Sequence, residues 1–439
     1  MTKLEIESSM DADDMEEEIL QAQQVRCCQQ QCEENVHDCI DELHLNCVDL
    51  ELREMSAIAK LFHCIKEWKS IEVEECTGQV DLMLSWILAQ SLQRLKLVAV
   101  LLEEFDRTVW LALAVGLSSN PHLRELTLSC SLSAHDASIL AQGLSCTSLS
   151  RLCLWDCRLD TCAAIELARG LRQAVLLQEF GLVACDLCEE RLDILLRALA
   201  DHPALTRLDL RCLASSITPV GKFVLQNSNI SILDLSFRSV QCEEAIDIPT
   251  LANAIRHHAS LTSLHLCSNL LSDDNVETLL DALSTASESC CLSTLDLSMN
   301  AISDSGLLHT IAPRIANNQL KIRRLLLENN DFSESALLQL VQAMTTNTYL
   351  EEVGIPHDFA FVQQMLDYYG RLNRGGRRLV VGSPPQEIAL ALWPFVLERV
   401  NRLKWDQQDR TSSNGTHEPT LLRAEILYCL LHGPLFFPV

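Results

Sequence analysis

The sequence predicts an α/β solenoid shaped as a horseshoe, with parallel strands on the concave face, helices on the convex face and a C-terminal helical cap. Three observations predict it. A leucine pattern recurs along most of the chain, an asparagine or cysteine recurs at one fixed place within that pattern, and an amphipathic helical stretch fills each interval. A repeat of this length marks modules that cannot bury their apolar faces alone and must stack.

The pattern is clearest in LSTLDLSMNAISDSG, residues 292–306, with Leu292, Leu295, Leu297, Asn300 and Ile302 spaced as L-x-x-L-x-L-x-x-(N/C)-x-L. The same template starts at Ile40, Trp68, Leu92, Leu123, Leu149, Leu177, Leu205, Ile230, Leu261, Leu292, Ile322 and Leu350, about 28 residues apart on average. The alternation within each start reads as a short strand with leucines inward. A polar pair such as Ser303-Asp304 or Ser272-Asp273 then suits a helix N-terminus, ahead of apolar runs such as NVETLLDALSTA and SALLQLVQAM. Parallel strands pack about 4.8 Å apart and helices about 8–10 Å apart, so the helical side is expected to fan out.

The asparagine has a physical task. The turn after each strand leaves buried backbone groups without ladder partners, and a side-chain amide offers both donors and an acceptor. Asn269, Asn300 and Asn330 hold that position, whereas Cys76, Cys157 and Cys185 replace them elsewhere. A thiol is small, apolar and a weak donor, so it fits the slot with fewer bonds. Ser131, Leu213 and Arg238 fall on the same position as departures. This pattern resembles the ribonuclease-inhibitor-like class of leucine-rich repeat proteins over roughly residues 40–360.

Three segments follow from this reading. Residues 1–38 form an acidic segment expected to lack fixed structure, since residues 1–60 hold 16 acids against four bases and few aromatics. Residues 39–360 are the solenoid. Residues 361–439 are expected to cap it, with the basic loop of Arg371, Arg374, Arg377 and Arg378, a helix opening at Ser383-Pro384, a polar linker, and a last helix stopping at Gly433-Pro434.

Composition narrows the function. No basic start with an apolar run marks an export signal, and no stretch of about 18 apolar residues marks a membrane span. A cytoplasmic location is therefore expected, with the nucleus as an alternative, and the 20 cysteines are expected to stay thiols. A net charge of −26 argues against nucleic acid and anionic membranes, and favours a protein partner with basic patches.

Chemical signals are sparse. Cys185-Asp-Leu-Cys188 has C-x-x-C spacing, but Cys185 occupies the repeat slot and Leu187 an apolar position, so packing explains it. Phosphate-loop, dinucleotide, zinc-protease and hydrolase motifs are missing, so no catalytic residue, metal or cofactor is expected. His257-His258 ends a helix, where a cation suits the dipole.

Function is expected on the outward strand positions of the concave face. These are Glu72, Glu74, Glu75, Arg151, Trp155, Asp156, Arg207, Asp209, Arg211, Asp234, Phe237, His265, Asp296, Arg324 and Glu328, in which acids outnumber bases about two to one. Trp155 and Phe237 are either anchors for a partner or covered by a neighbouring loop. The leading expectation is a monomeric, non-enzymatic scaffold holding a protein with a basic surface. The alternative rests on resemblance alone: Ran GTPase-activating proteins are similar in fold, which would imply regulation of a small GTPase.

Overall fold

A computed structural model shows how the modules are built. The structure describes residues 3–7, 42–46, 49–50, 55–56, 58–60, 62, 67–74, 76–78, 80–98, 107–145, 148–213, 218–237, 247–286, 290–375 and 377. The chain divides into two units, Met1–Ala254 and Ile255–Val439.

In the first unit nine strands run parallel in chain order: β1 Lys3–Glu7, β2 Glu42–Asn46, β3 Glu67–Glu74, β4 Ser91–Val98, β5 Glu125–Ser129, β6 Arg151–Trp155, β7 Glu179–Val183, β8 Arg207–Asp209 and β9 Ile232–Asp234. Helices α1 Val80–Leu88, α2 Arg107–Ser119, α3 Ala134–Leu144, α4 Thr161–Gln173, α5 Glu189–Leu199 and α6 Thr218–Gln226 alternate with them, and α7 Ile248–Arg256 carries the chain past the division. The second unit repeats the plan with β10 Ser263–His265, α8 Asp273–Ser284, β11 Thr294–Asp296, a π-helical turn Gly306–Ile311 leading into α9 Ala312–Ala316, β12 Arg324–Leu326, α10 Glu334–Met344, β13 Glu352–Gly354 and α11 Ala360–Arg374.

Two of the expected boundaries move. Lys3–Glu7, expected to lack structure, pairs in parallel with Glu42–Asn46, because Leu4 and Ile6 alternate inward and register with Leu43 and Leu45. The expected boundary at residue 361 falls inside α11, which is the helix of the module begun at Leu350: Gln363 Nε2 donates to Val353 O at 2.8 Å and Asn373 Nδ2 to Leu350 O at 2.7 Å. The remainder of the expected cap, residues 378–439, and residues 8–38 lie outside the described residues.

The leucines form the core. Leu126, Leu128, Leu152, Leu154, Leu182, Leu208 and Leu233 are buried in the first unit, as are Leu264, Leu266, Leu295, Leu297, Leu325 and Leu327 in the second. Each buried leucine contributes about 1.5–3 kcal/mol relative to exposure.

The asparagine slot is occupied as its chemistry requires. Asn300 Nδ2 donates to Leu266 O at 3.0 Å and Leu297 O at 2.9 Å, while its Oδ1 accepts from the amides of Asn269 at 2.9 Å and Leu271 at 3.0 Å. Cys157 Sγ reaches the corresponding carbonyl, Leu128 O, at 3.3 Å, and Cys185 reaches Leu154 O at 3.3 Å. Ser131 is corrected. The short pairing of Ser131–Leu132 with Arg158–Leu159 shows the repeat from Leu123 to be one residue short, so buried Cys130 holds the slot beside Cys157.

The residue just before the slot is left-handed in every described repeat from Leu149 to Ile322. Asp156, Ala184, Cys212, Phe237, Ser268, Met299 and Asn329 all have φ between 51 and 60°. This conformation costs a non-glycine residue roughly 1–2 kcal/mol. It also turns the N–H toward the next module: Asp156 donates to Val183 O at 2.8 Å, Ala184 to Arg211 O at 2.9 Å, and Met299 to Glu328 O at 2.7 Å. The shortened repeat from Leu123 omits this residue, and no residue of its described turn has positive φ.

A second buried ladder lies three residues before the repeat starts, at Asn120, His202, Asn227, His258 and Asn347. Asn227 Nδ2 donates to Leu199 O at 3.0 Å, and its Oδ1 accepts from Asn229 N and Ile230 N, each at 2.9 Å. His202 makes the equivalent bonds through Nε2 to Ala174 O at 3.0 Å and Nδ1 from Ala204 N at 3.4 Å. His258 Nδ1 accepts from Leu261 N at 2.9 Å, the place that Asn227 Oδ1 takes for Ile230 N.

The polar pairs after the strands also join modules. Ser133 and Asp160 cap their own helices as expected. Asp273, however, accepts from Ser303 N at 2.9 Å and Ser303 Oγ at 2.6 Å, and Asp304 accepts from Ser333 N at 2.8 Å. Gly306 admits this contact, since a Cβ there would overlap the Asp273 carboxylate.

Candidate functional site

Alternation along β2–β9 points every second side chain away from the leucines. Parallel register then sets these side chains in rows across the strands. One row reads Glu42, Ser70, Arg94, Glu125, Arg151, Glu179, Arg207, Ile232; the next reads His44, Glu72, Lys96, Thr127, Cys153, Gly181, Asp209, Asp234.

The acids in these rows are largely answered by bases. Arg94 lies 3.4 Å from Glu42, and Arg151 lies between Glu125 at 3.8 Å and Glu179 at 3.6 Å. Lys96 inserts between Glu74 and Glu72, the latter at 3.8 Å. Arg211 grips Asp209 through two bonds of 2.8 and 2.7 Å and stands 3.6 Å from Asp234. The first-unit face is therefore a mixed, self-paired array rather than the uniformly acidic surface that counting residues suggested.

Glu74, Lys96 and His44 show the electrostatics. Burial works against the Glu74 carboxylate, but Lys96 and His44 beside it hold it below its ordinary value. His44, Glu72 and Glu74 each bring one ligand atom within 4.8 Å of the others, and the Lys96 ammonium supplies the counter-charge there. The bond to Asp209 outweighs desolvation and raises Arg211 further, so the guanidinium stays charged.

The predicted site residues fall into distinct places. Glu72, Glu74, Arg151, Arg207 and Asp234 face outward from strands, and Trp155 ends β6 at 42% exposure with Lys96 Nζ 5.4 Å from its ring centroid. Asp156 and Phe237 are corrected: both are left-handed turn residues, because the strands end before them. Arg211 and Glu328 also lie past their strands. Asp209 is corrected too, being 5% exposed and committed to Arg211. Glu75 lies outside the described residues.

In the second unit His265 lies 3.5 Å from Asp296, Arg324 lies 2.8 Å from Glu352, and Ser298 Oγ donates to Glu328 at 2.6 Å. Burial opposes the Asp296 carboxylate, but His265 and Ser298 hold it below its usual value. An open cleft beside β12 and β13 is walled by Arg323, Arg324 and Arg374 against Glu351 and Glu352.

Hydrogen bonds from Cys130 and Cys185 hold Cys157 well below its ordinary value. Cys130, Cys157 and Cys185 stack in consecutive slots, where the Cys157 neighbour and burial push Cys130 and Cys185 far up. Burial raises Cys153 to about 11. Thiols held protonated are poor nucleophiles. Register, the asparagine and cysteine slot and buried leucine rows all agree.

The fold is a leucine-rich repeat solenoid. A human protein, NACHT, LRR and PYD domains-containing protein 14, is 28% identical over 238 residues, covering 53% of this chain and 21% of the relative. The chain thus spans about a fifth of that relative's length. No family model matches. Among solved structures, an internalin from Listeria monocytogenes is 14% identical over 76% of this chain and 94% of its own, with a TM-score of 0.39. TLR13, from a TLR13–ssRNA13 complex, is 14% identical over 67% of this chain and 40% of its own, with a TM-score of 0.40.

Sequence reasoning missed two features of this leucine-rich repeat solenoid's face. Gly181 leaves a hollow of about 10 Å³ between Cys153 and Asp209, and Arg207, which lines it with Glu179 and Asp209, makes no ion pair within 4 Å among the described residues. A glycine on an otherwise substituted row was a readable signal for the first; nothing in the sequence marks the second.

Proposed function

We propose that this chain is a non-enzymatic scaffold that binds a protein partner on its strand face. The observation that carries this is Trp155, a large aromatic held at the end of a rigid strand, facing solvent beside a charged row while the apolar ladders behind it are buried. Aromatic and arginine side chains on a preorganised surface are the usual anchors of protein recognition. The net charge of −26 supports a partner with an overall basic surface, drawn by long-range attraction. A helix in each interval from Glu67–Glu74 onward and a period near 28 residues support the ribonuclease-inhibitor-like subtype. The described cysteines, free thiols in the structure, support a reducing compartment such as the cytoplasm or nucleus.

Crosslinking mass spectrometry of the tagged chain with its captured partner tests the reading. Crosslinks are expected at Lys96 and other strand-face residues, with loss of capture in Trp155→Ala. Crosslinks confined to the helical side, with capture unchanged in that variant, would refute it.

A further inference from the structure

Arg207 ends an alternation that stops one acid short. Along its row Glu125, Arg151, Glu179 and Arg207 stand in register, followed by Ile232. Arg151 has a carboxylate on either side, at 3.8 and 3.6 Å. Glu179 is the acid shared between Arg151 and Arg207, and it is turned to Arg151. On its other flank Arg207 meets an isoleucine. The nearest remaining carboxylate, Asp209, is gripped by Arg211 through two hydrogen bonds. Among the described lysines and arginines of the outward rows in this unit, Arg94, Lys96, Arg151 and Arg211 all have an acid within 4 Å, and Arg207 alone does not.

The surroundings give that cation a shape. Gly181 registers with Cys153 on one side and Asp209 on the other, and its missing side chain opens the hollow that Arg151 and Arg207 border together with Glu179 and Asp209. At about 10 Å³ the hollow admits one small group at its floor. Trp155 registers with Val183, four residues along the strand from Glu179, the register partner of Arg207, so Trp155 and Arg207 stand two strands apart and roughly 16 Å from Cα to Cα. A guanidinium, a small hollow and an exposed indole thus lie in sequence on one rigid surface.

We infer that Arg207 receives a partner's aspartate or glutamate side chain, carried on an extended segment that runs on toward Trp155 and sets an apolar residue about five positions away against its indole. A planar carboxylate matches the fork of one guanidinium bidentately. It completes the interrupted charge row, since the two acids beside the hollow, Glu179 and Asp209, are already engaged by Arg151 and Arg211. The inference rests on the scaffold reading and adds the local chemistry of the contact. An overall basic partner and one acidic contact are compatible, because net charge governs approach and the pairing governs register.

The test uses the full chain, immobilised and folded, to select from a random peptide library. Synthetic versions of the enriched peptides are then titrated against wild type, Arg207→Gln, Arg207→Glu and Trp155→Ala, with thermal melts to confirm that all four fold. The expected result is enrichment of peptides carrying Asp or Glu with an apolar residue about five positions away, with affinity weakened about tenfold or more in Arg207→Gln. Selection against Arg207→Glu is expected to switch the enriched charge to Lys or Arg. Peptides lacking an acid, an affinity unmoved by Arg207→Gln, or a library yielding no binder would overturn the inference. Binding lost in Trp155→Ala but intact in Arg207→Gln would do so while leaving the scaffold reading standing. Binding that neither substitution weakens would remove both.

Discussion

The thiol of Cys157 donates to the carbonyl of Leu128 at 3.3 Å, the bond that Asn300 makes to Leu266 at 3.0 Å in the equivalent slot five repeats later. Both side chains satisfy a buried carbonyl left by the turn. They differ in what else they hold. Asn300 also bonds Leu297 O and Ser298 O and accepts two amides, whereas the thiol adds only a long contact of 3.6 Å to Trp155 O.

This difference predicts unequal costs. Asn300→Ala leaves two amides and the turn carbonyls without partners in the interior, a loss of about 2–4 kcal/mol. Cys157→Ala removes one weak donor and a small volume, a loss of about 1 kcal/mol. Urea titration followed by circular dichroism distinguishes them, and equal midpoint shifts would show that the slot is filled for packing alone.

The Asp273 link to Ser303 predicts the role of Gly306. Because a Cβ at 306 would overlap the Asp273 carboxylate, Gly306→Ala is expected to destabilise the second unit by about 1–3 kcal/mol. Adding Asp273→Ala removes the obstacle, so the double variant should cost less than the sum of the singles. Strict additivity in a double-mutant cycle would show that the glycine serves another purpose.

His202 predicts acid sensitivity. Burial lowers its pKa from an ordinary 6.5, and its accepting Nδ1 fixes the neutral ring. The unfolded chain therefore binds a proton near pH 6.5 that the folded chain refuses, so stability is full above that pH and falls as pH drops below it. His202→Asn, which places the Asn227 chemistry at this position, should flatten that dependence between about pH 7 and pH 5. Urea midpoints measured across the interval check it, and parallel pH profiles for the two proteins would exclude His202 as the cause.

Much of this was legible in the sequence because period and chemistry coincide. Leu292, Leu295, Leu297 and Asn300 are set by a spacing that only stacking explains, and cysteine at 157 and 185 follows from the same slot. Ser131 misled because one deleted residue shifts a fixed template, and the deletion is visible only once Leu132 registers with Leu159. Asp156 and Phe237 were read as strand residues because alternation continues in sequence past the point where the backbone becomes left-handed. The face read as acidic because a count of charges cannot show that Lys96 lies between Glu72 and Glu74, or that Glu179 leans toward Arg151 rather than Arg207.

Phe237 supplies the last prediction. It is 43% exposed and sits at φ 60°, so the position combines backbone strain with an apolar ring in water. Neither feature stabilises the fold: the left-handed conformation costs a non-glycine residue roughly 1–2 kcal/mol, and the ring gives up part of its burial. Phe237→Gly removes the strain but adds unfolded-chain entropy of about 0.5–1 kcal/mol, so stability should stay level or rise slightly. If the ring instead covers a neighbouring loop, the same change should lower stability by more than about 1 kcal/mol. Thermal and urea denaturation of this one variant decide between the two roles. A stable Phe237→Gly that loses partner affinity assigns the ring to recognition, since an unsupported aromatic in a strained turn then has its counterpart in the bound protein.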